Sequence, residues 1–292
     1  MRNLKLIDAK SQDGYGQKMS NYPILLDSIT DADEGHRGQV VISGSHGGIY
    51  PAAVASRANI RAVLFNDAGI GLEQAGVTGV LALAKIGMAA AAIDSKSCLI
   101  GSAQDAFNRG IITTVNSIAA QCGLETGMPT DKAVQLLDIA PQPHDLLPEV
   151  EESRNEVQLA EHGPTLLLVD SASLVLPEDK DRIIITGSHG SLIGGNPSRA
   201  LKATARIAVF NDAGVLTDEV GISRLPALDE RGVAAVTISY ETARIGDARS
   251  ALETGVISKA NLRARKAKAE VGMKLKDWLS GLLSDVRQPN VK

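Results

Sequence analysis

The chain has 292 residues, 44% hydrophobic and 22% charged, the balance of a globular protein with room for two lobes of ordinary domain size. A formal net charge of −4 and only 3% aromatic residues argue against a dedicated nucleic-acid binder, which would carry a basic excess and stacking rings. Cys98 and Cys122 form no disulfide framework, the start MRNLKLIDAK lacks the apolar core of a signal peptide, and no run approaches the roughly 18 apolar residues of a membrane span. A cytoplasmic protein without membrane contact is therefore expected.

Along the chain, the polar leader before Asn21 reads as an arm for a partner. Ile24–Leu26 and Gln39–Ser43 read as strands, Pro51–Ala58 as a short helix, Arg61–Asn66 as a strand, Val77–Ile86 as a helix, Met88–Asp94 as a strand and Asn116–Cys122 as part of a helix. The stretch from Ile139 to Gly163, rich in Pro, Glu, Gln and His, reads as a linker. Beyond it the order returns: strands at Thr165–Asp170 and Arg182–Thr186, a helix at Pro197–Ala205, a strand at Arg206–Asn211, a helix at Gly221–Asp229, a strand at Val233–Ser239 and a helix at Ser258–Glu270. The many basic residues of Lys259–Lys276 read as a solvated helix face. The strands are continuously apolar, as expected when helices cover both faces of a mostly parallel sheet.

The recurrence extends to individual residues. Gly44-Ser45-His46-Gly47 returns as Gly187-Ser188-His189-Gly190, and Phe65-Asn66-Asp67-Ala68-Gly69 as Phe210-Asn211-Asp212-Ala213-Gly214. Asp27-Ser28 matches Asp170-Ser171, and Asn116 matches Asn261. The matched stretches run from Tyr22 to Lys132 and from Thr165 to Asp277, far longer than a solenoid repeat of about 20–50 residues. The expected fold is α/β and internally duplicated: two related lobes with mostly parallel sheets and pseudo-twofold symmetry. Residues 1–138 form the first repeat with its arm, 139–163 the linker, and 164–292 the second repeat with a C-terminal helix.

Both Gly-Ser-His-Gly motifs follow an apolar strand, at the carboxyl end where open α/β sheets place their ligands. Their glycines (Gly44 and Gly47, with Gly48 after the first; Gly187 and Gly190) allow a sharp turn, whose backbone N–H groups can hold an anion. Ser45, His46 and Asp67, and equally Ser188, His189 and Asp212, supply the hydroxyl, imidazole and carboxylate of nucleophilic or general acid–base catalysis. Asn66 and Asn211 add amides at the next strand end. The same Ser and Asp types also serve as ordinary helix caps. Arg244 and Asp247 occur only in the second half, where Arg244 can clamp a carboxylate with Asp247 holding it.

A strand ending in Ser-His-Gly, followed by the strand, loop, helix and strand of Val63–Ser95, resembles the caspase-like peptidases over about 55 residues per half. Their nucleophilic cysteine has no equivalent, since Asn66-Asp67 and Asn211-Asp212 stand in its place, so the resemblance implies topology and not cysteine peptidase activity. No HExxH or CxxC spacing calls for a metal, and neither GxGxxG after the first strand nor GxxxxGK[ST] calls for a nucleotide, so no cofactor is expected. The expected activity is hydrolysis of a small carboxylate- or amide-bearing metabolite by these Ser, His and Asp groups. An isomerase or lyase moving protons with the same residues, and a non-catalytic anion-binding or scaffold protein, stay open, as does a homo-oligomer.

Overall fold

A computed structural model describes residues 22–159, 165–214 and 219–286. The arm before Asn21 and part of the segment after Leu159 lie outside the described residues.

The first half runs β1 (Ile24–Leu26), β2 (Val40–His46), α1 (Ile49–Arg57), β3 (Ala62–Asn66), α2 (Thr78–Leu83), β4 (Ala89–Ile93), α3 (Ala103–Arg109), β5 (Ile112–Val115), α4 (Ser117–Gln121) and α5 (Thr130–Leu137). The second runs β6 (Arg154–Gln158), β7 (Thr165–Val169), β8 (Ile183–His189), β9 (Ile207–Asn211), α6 (Arg224–Glu230), β10 (Ala234–Ile238), α7 (Ala248–Thr254), β11 (Ile257–Ala260), α8 (Leu262–Lys266) and α9 (Leu275–Val286). The strands form two sheets, ordered β1-β2-β3-β4-β5 and β11-β10-β9-β8-β7-β6. β1 to β4 and β7 to β10 are parallel, while β5, β6 and β11 pair antiparallel at the edges. The fold is thus α/β with mostly parallel sheets.

The apolar runs have a direct cause. Ile42, Leu64 and Ala91 pack into one core, while their neighbours Val41, Val63 and Ala90 pack into another on the opposite face. Ile185, Val209 and Val236 are likewise separated from Ile184, Ala208 and Ala235. With period-two side chains and both faces covered, alternation vanishes. Each Leu or Ile so buried contributes roughly 1.5–3 kcal/mol.

Polar residues shared by the halves fix the sheet edges. Asn116 Oδ1 accepts from the N–H groups of Ala90 and Ala119, and its Nδ2 donates to the carbonyls of Val80 and Met88. Asn261 bonds Ala235, Ala264, Leu225 and Val233 in the same way. Each amide is fully satisfied, so it is stable in a buried position.

Some elements differ from the sequence expectation. Pro197–Ala205 holds only a 3-10 turn, Pro197–Arg199, which follows Gly194 and Gly195 at positive φ and starts on Pro197. Ser258–Glu270 begins in strand β11 and becomes helical only at Leu262. The segment between the halves contains β6, whose Arg154 pairs with the buried Asp179. No helix among the described residues is long and apolar enough to cross a membrane.

Candidate functional site

At the ends of β2 and β8 the ladder breaks register, after Ile42 and after Ile185, and resumes at His46 opposite Asn66 and at His189 opposite Asn211. Gly44 sits in this break, where a Cβ would come 2.6 Å from the Asp27 carbonyl oxygen. Gly187 is equally confined between Asp170 and the Gly246–Asp247 peptide. Gly47 and Gly190 press on Val80 and Thr237, so these glycines secure close backbone approach rather than ligand contact.

Ser45 Oγ accepts from the N–H of Ile29 at 3.0 Å, and Ser188 Oγ from that of Ala172 at 2.8 Å. Each hydroxyl keeps its own proton to donate. His46 Nδ1 accepts from the N–H of Gly48 at 3.2 Å, which puts the ring proton on Nε2. Burial lowers the His46 pKa to about 4, so the ring is neutral at pH 7 although part of it remains open to the cavity. His189 is lowered further by burial, with the charges of Arg224 and His46 adding to it. The Ser191 backbone opposes the shift, and His189 Nδ1 is buried without a hydrogen-bond partner among the described residues.

Both Ser-His pairs line one cavity of about 270 Å³. Tyr50, Glu152 and Asp170 also line it, as do Arg199, Lys202 and Arg224. The charges are segregated. Tyr50, Glu152 and Asp170 border a second, smaller cavity as well, together with His46, whereas the three cations line only the first. Glu152 is pushed up to about 7 by burial and then by the Asp170 charge, against the hydroxyls of Tyr50 and Ser171.

Arg224, at the start of α6, is 2% exposed. Its Nε donates to the Ser191 carbonyl and its Nη1 to those of Arg199 and Ala200, and it stacks on the Phe210 ring. Among the described residues no carboxylate pairs with it and its Nη2 makes no hydrogen bond. Burial lowers its pKa only to about 10, so it is a cation at neutral pH.

The carboxylates expected beside the histidines are engaged elsewhere. Asp67 accepts from the N–H groups of Gly69 and Ser95 and from the Thr113 hydroxyl, and Asp212 from those of Gly214 and Tyr240. Burial raises both pKa values, and these N–H groups oppose the rise. No hydrogen bond joins either Asp to a site histidine among the described residues, and neither Asp lines a described cavity around them. Asn66 and Asn211 brace the same turns, accepting from Ala68 and Ala213 and donating to Cys98 Sγ and the Ala243 carbonyl. The two turns meet: Ala68, Ala213, Ile100 and Ile245 form a small buried cluster, and a Cβ on Gly214 would lie 2.6 Å from Gly69 Cα. The Asn-Asp-Ala-Gly motif is therefore the seam between the halves.

Each half also closes on the other's histidine. Gly246 lies against the His46 ring and Gly101 against that of His189. Arg244 is committed within this seam: Nε and Nη2 bond Asp247 at 3.1 and 2.8 Å, and Nη1 bonds Glu73 at 3.0 Å. Asp247 also caps α7. The pocket cation is Arg224, which sequence reasoning missed. It lies at the head of a short helix, Arg224–Glu230, and its one signal is that Gly79 stands at the aligned position of the first half. Glu152 and Tyr50 were missed too; Tyr50 was visible only as a residue without a counterpart, since Ile193 stands at its position.

No group of three or more His, Cys, Asp or Glu able to hold a metal occurs among the described residues. Comparisons with family models, with curated proteins and with solved structures returned no significant match in any of the three, so the caspase-like resemblance rests on its motifs alone.

Proposed function

We propose that this protein is an enzyme that binds a small carboxylate-bearing metabolite between two duplicated halves and moves a proton on it, as an isomerase or lyase does. The observation that carries this reading is the single cavity lined by both Ser-His pairs and by the buried Arg224, with which no carboxylate among the described residues pairs. A buried guanidinium is costly without an anion, and its uncommitted Nη2 suits a substrate carboxylate. Two neutral imidazoles and two serine hydroxyls supply donors for a carbonyl oxygen that gains charge as the proton leaves.

Hydrolysis by serine attack has less support. It needs an imidazole that takes the serine proton and a carboxylate that orients the imidazole. His46 Nδ1 is occupied by the Gly48 N–H, and Asp67 and Asp212 are committed to the seam. The duplication itself belongs to this proposal: one ancestral unit, doubled and fused, would give a shared site completed from both sides.

Titration calorimetry with 2-oxobutyrate and 2-oxoglutarate tests the carboxylate reading. Arg224→Met, checked for folding by circular dichroism, is expected to weaken binding about tenfold or more, the value of a charged hydrogen bond of roughly 1.5–3 kcal/mol. Ser188→Ala, which also removes the acceptor of the Ala172 N–H and is checked for folding in the same way, is expected to weaken it severalfold. Unchanged affinity in both variants, or no binding by the wild type, overturns the reading.

A further inference from the structure

Resting on that reading, we infer that Glu152, in the segment between the halves, is the group that takes and returns the substrate proton. The inference stands on position. Glu152 borders both cavities whereas Arg224 borders only the larger, so a substrate carboxylate held by Arg224 leaves the rest of the molecule to reach Glu152 in the same cavity. The groups around it are the hydroxyls of Tyr50 from α1 and Ser171 after β7, the Asp170 carboxylate, and His46 at the end of β2, with the Arg57 guanidinium of α1 on the same Tyr50 hydroxyl. Arg244 and Asp247 lie across the smaller cavity, where they pair with each other. No cation among the described residues lies within ion-pair distance of Glu152. An unpaired, half-buried carboxyl beside a second carboxylate is suited to change protonation near neutrality, and burial with the Asp170 charge brings it to about 7.

The step balances without a co-reactant. The Glu152 carboxylate takes a proton from the carbon next to the substrate carbonyl. The C–H electron pair becomes the new carbon–carbon π bond, and the carbonyl π pair moves onto oxygen, which the serine hydroxyls and imidazole N–H groups can meet. The resulting carboxylic acid returns a proton to the same carbon as the oxygen's electron pair re-forms the carbonyl, and Glu152 is regenerated. Tyr50 is a positioning residue: its hydroxyl bond favours the ionised carboxylate.

The test is deuterium incorporation into 2-oxobutyrate and 2-oxoglutarate in D2O, followed by proton NMR, with binding measured on the same proteins. The wild type is expected to exchange with a rate that rises through about pH 7. Glu152→Gln is expected to lose exchange about a hundredfold with affinity kept within about threefold, the scale of general-base catalysis. Tyr50→Phe is expected to move the rising limb to higher pH, which a merely structural role would not do. Wild-type exchange that survives in Glu152→Gln overturns the role of Glu152 and leaves the binding reading standing. Binding without exchange in the wild type overturns proton transfer altogether, and with it this inference.

Discussion

The two halves leave equivalent strands by different routes. After β2 the chain passes through Gly47 and Gly48 into the nine-residue helix α1, and α2 lies directly on that turn, with Gly79 against the Gly48 carbonyl. After β8 it passes instead through the 3-10 turns Ile193–Gly195 and Pro197–Arg199, and the space that Gly79 leaves closed is filled by Arg224 holding three carbonyls of the 191–200 loop. The strands, the bracing Asn residues and the seam turns correspond, while the loops over the cavity do not. Like sheets with unlike loops give a cavity whose Arg224 and Glu152 have no counterpart in the first half, while its Asp170 belongs to the matched positions as the partner of Asp27.

The largest expected effects test where the halves correspond. Gly69 and Gly214 have φ of 74° and 78°, and each faces the other's Cα. Alanine at either position is expected to cost about 3 kcal/mol or more, from the left-handed backbone and from overpacking that a backbone neighbour cannot relieve. Gly127 has φ of 87° but nothing within 4 Å, so Gly127→Ala is expected to cost only about 1 kcal/mol. Thermal and denaturant unfolding of the three variants measures this. A tolerated change at either seam glycine would break the equivalence of the two turns.

A second comparison sets the histidines against each other. A native imidazole held below its ordinary 6.5 disfavours the proton, while the unfolded chain accepts it, so stability falls as pH drops from about 6.5 toward about 4 for His46. Glu152, Asp67 and Asp212, all raised, work in the opposite direction, but they remain in every protein compared. His189 is also held well below its ordinary value, by burial first and then by the Arg224 charge. Replacing either histidine with Gln is therefore expected to flatten the acid loss of stability between about pH 6.5 and 4.5 by a similar amount, because both native rings stay neutral there. Denaturant midpoints from pH 7 to 4.5 decide it, and a slope left unchanged by a replacement would mean that the native ring at that position takes up its proton as readily as the unfolded chain does.

Much of the sheet was legible because both faces are covered: Val40–Ile42 and Ile183–Ile185 could hardly be other than buried parallel strands. The edges were hidden, since β5 and β11 are four residues each and β6 is mostly exposed and polar, without a periodic signal. The helix expected at Pro197–Ala205 came from treating the second half as a copy of the first, and the glycine pair before Pro197 was the local contrary sign. Ser45, His46, Ser188 and His189 meet in one cavity as their shared strand position implied. The placing of Asp67 and Asp212 did not follow, because a strand-end carboxylate can face a neighbouring loop or a neighbouring turn, and spacing alone does not distinguish these. Glu152 lay in a stretch whose composition suggested only a linker.

The smallest expected effect separates the two arginines. Arg244 is the more conspicuous in sequence, one half having it and the other not, yet all its hydrogen-bonding nitrogens are held by Asp247 and Glu73, and it is 39% exposed. Partly exposed ion pairs contribute about 0–1 kcal/mol because solvent screens them and ordering two long side chains opposes them. Arg244→Ala is therefore expected to lower stability by less than about 1 kcal/mol and to leave 2-oxobutyrate affinity within about twofold of wild type. Arg224→Met is expected to lose about tenfold or more. The contrast follows from burial and partners: one guanidinium is partly exposed and saturated, the other buried, lining the cavity and without a carboxylate partner among the described residues. Calorimetry on both variants ranks them, and a larger affinity loss at Arg244 would move the anion site to the smaller cavity beside it.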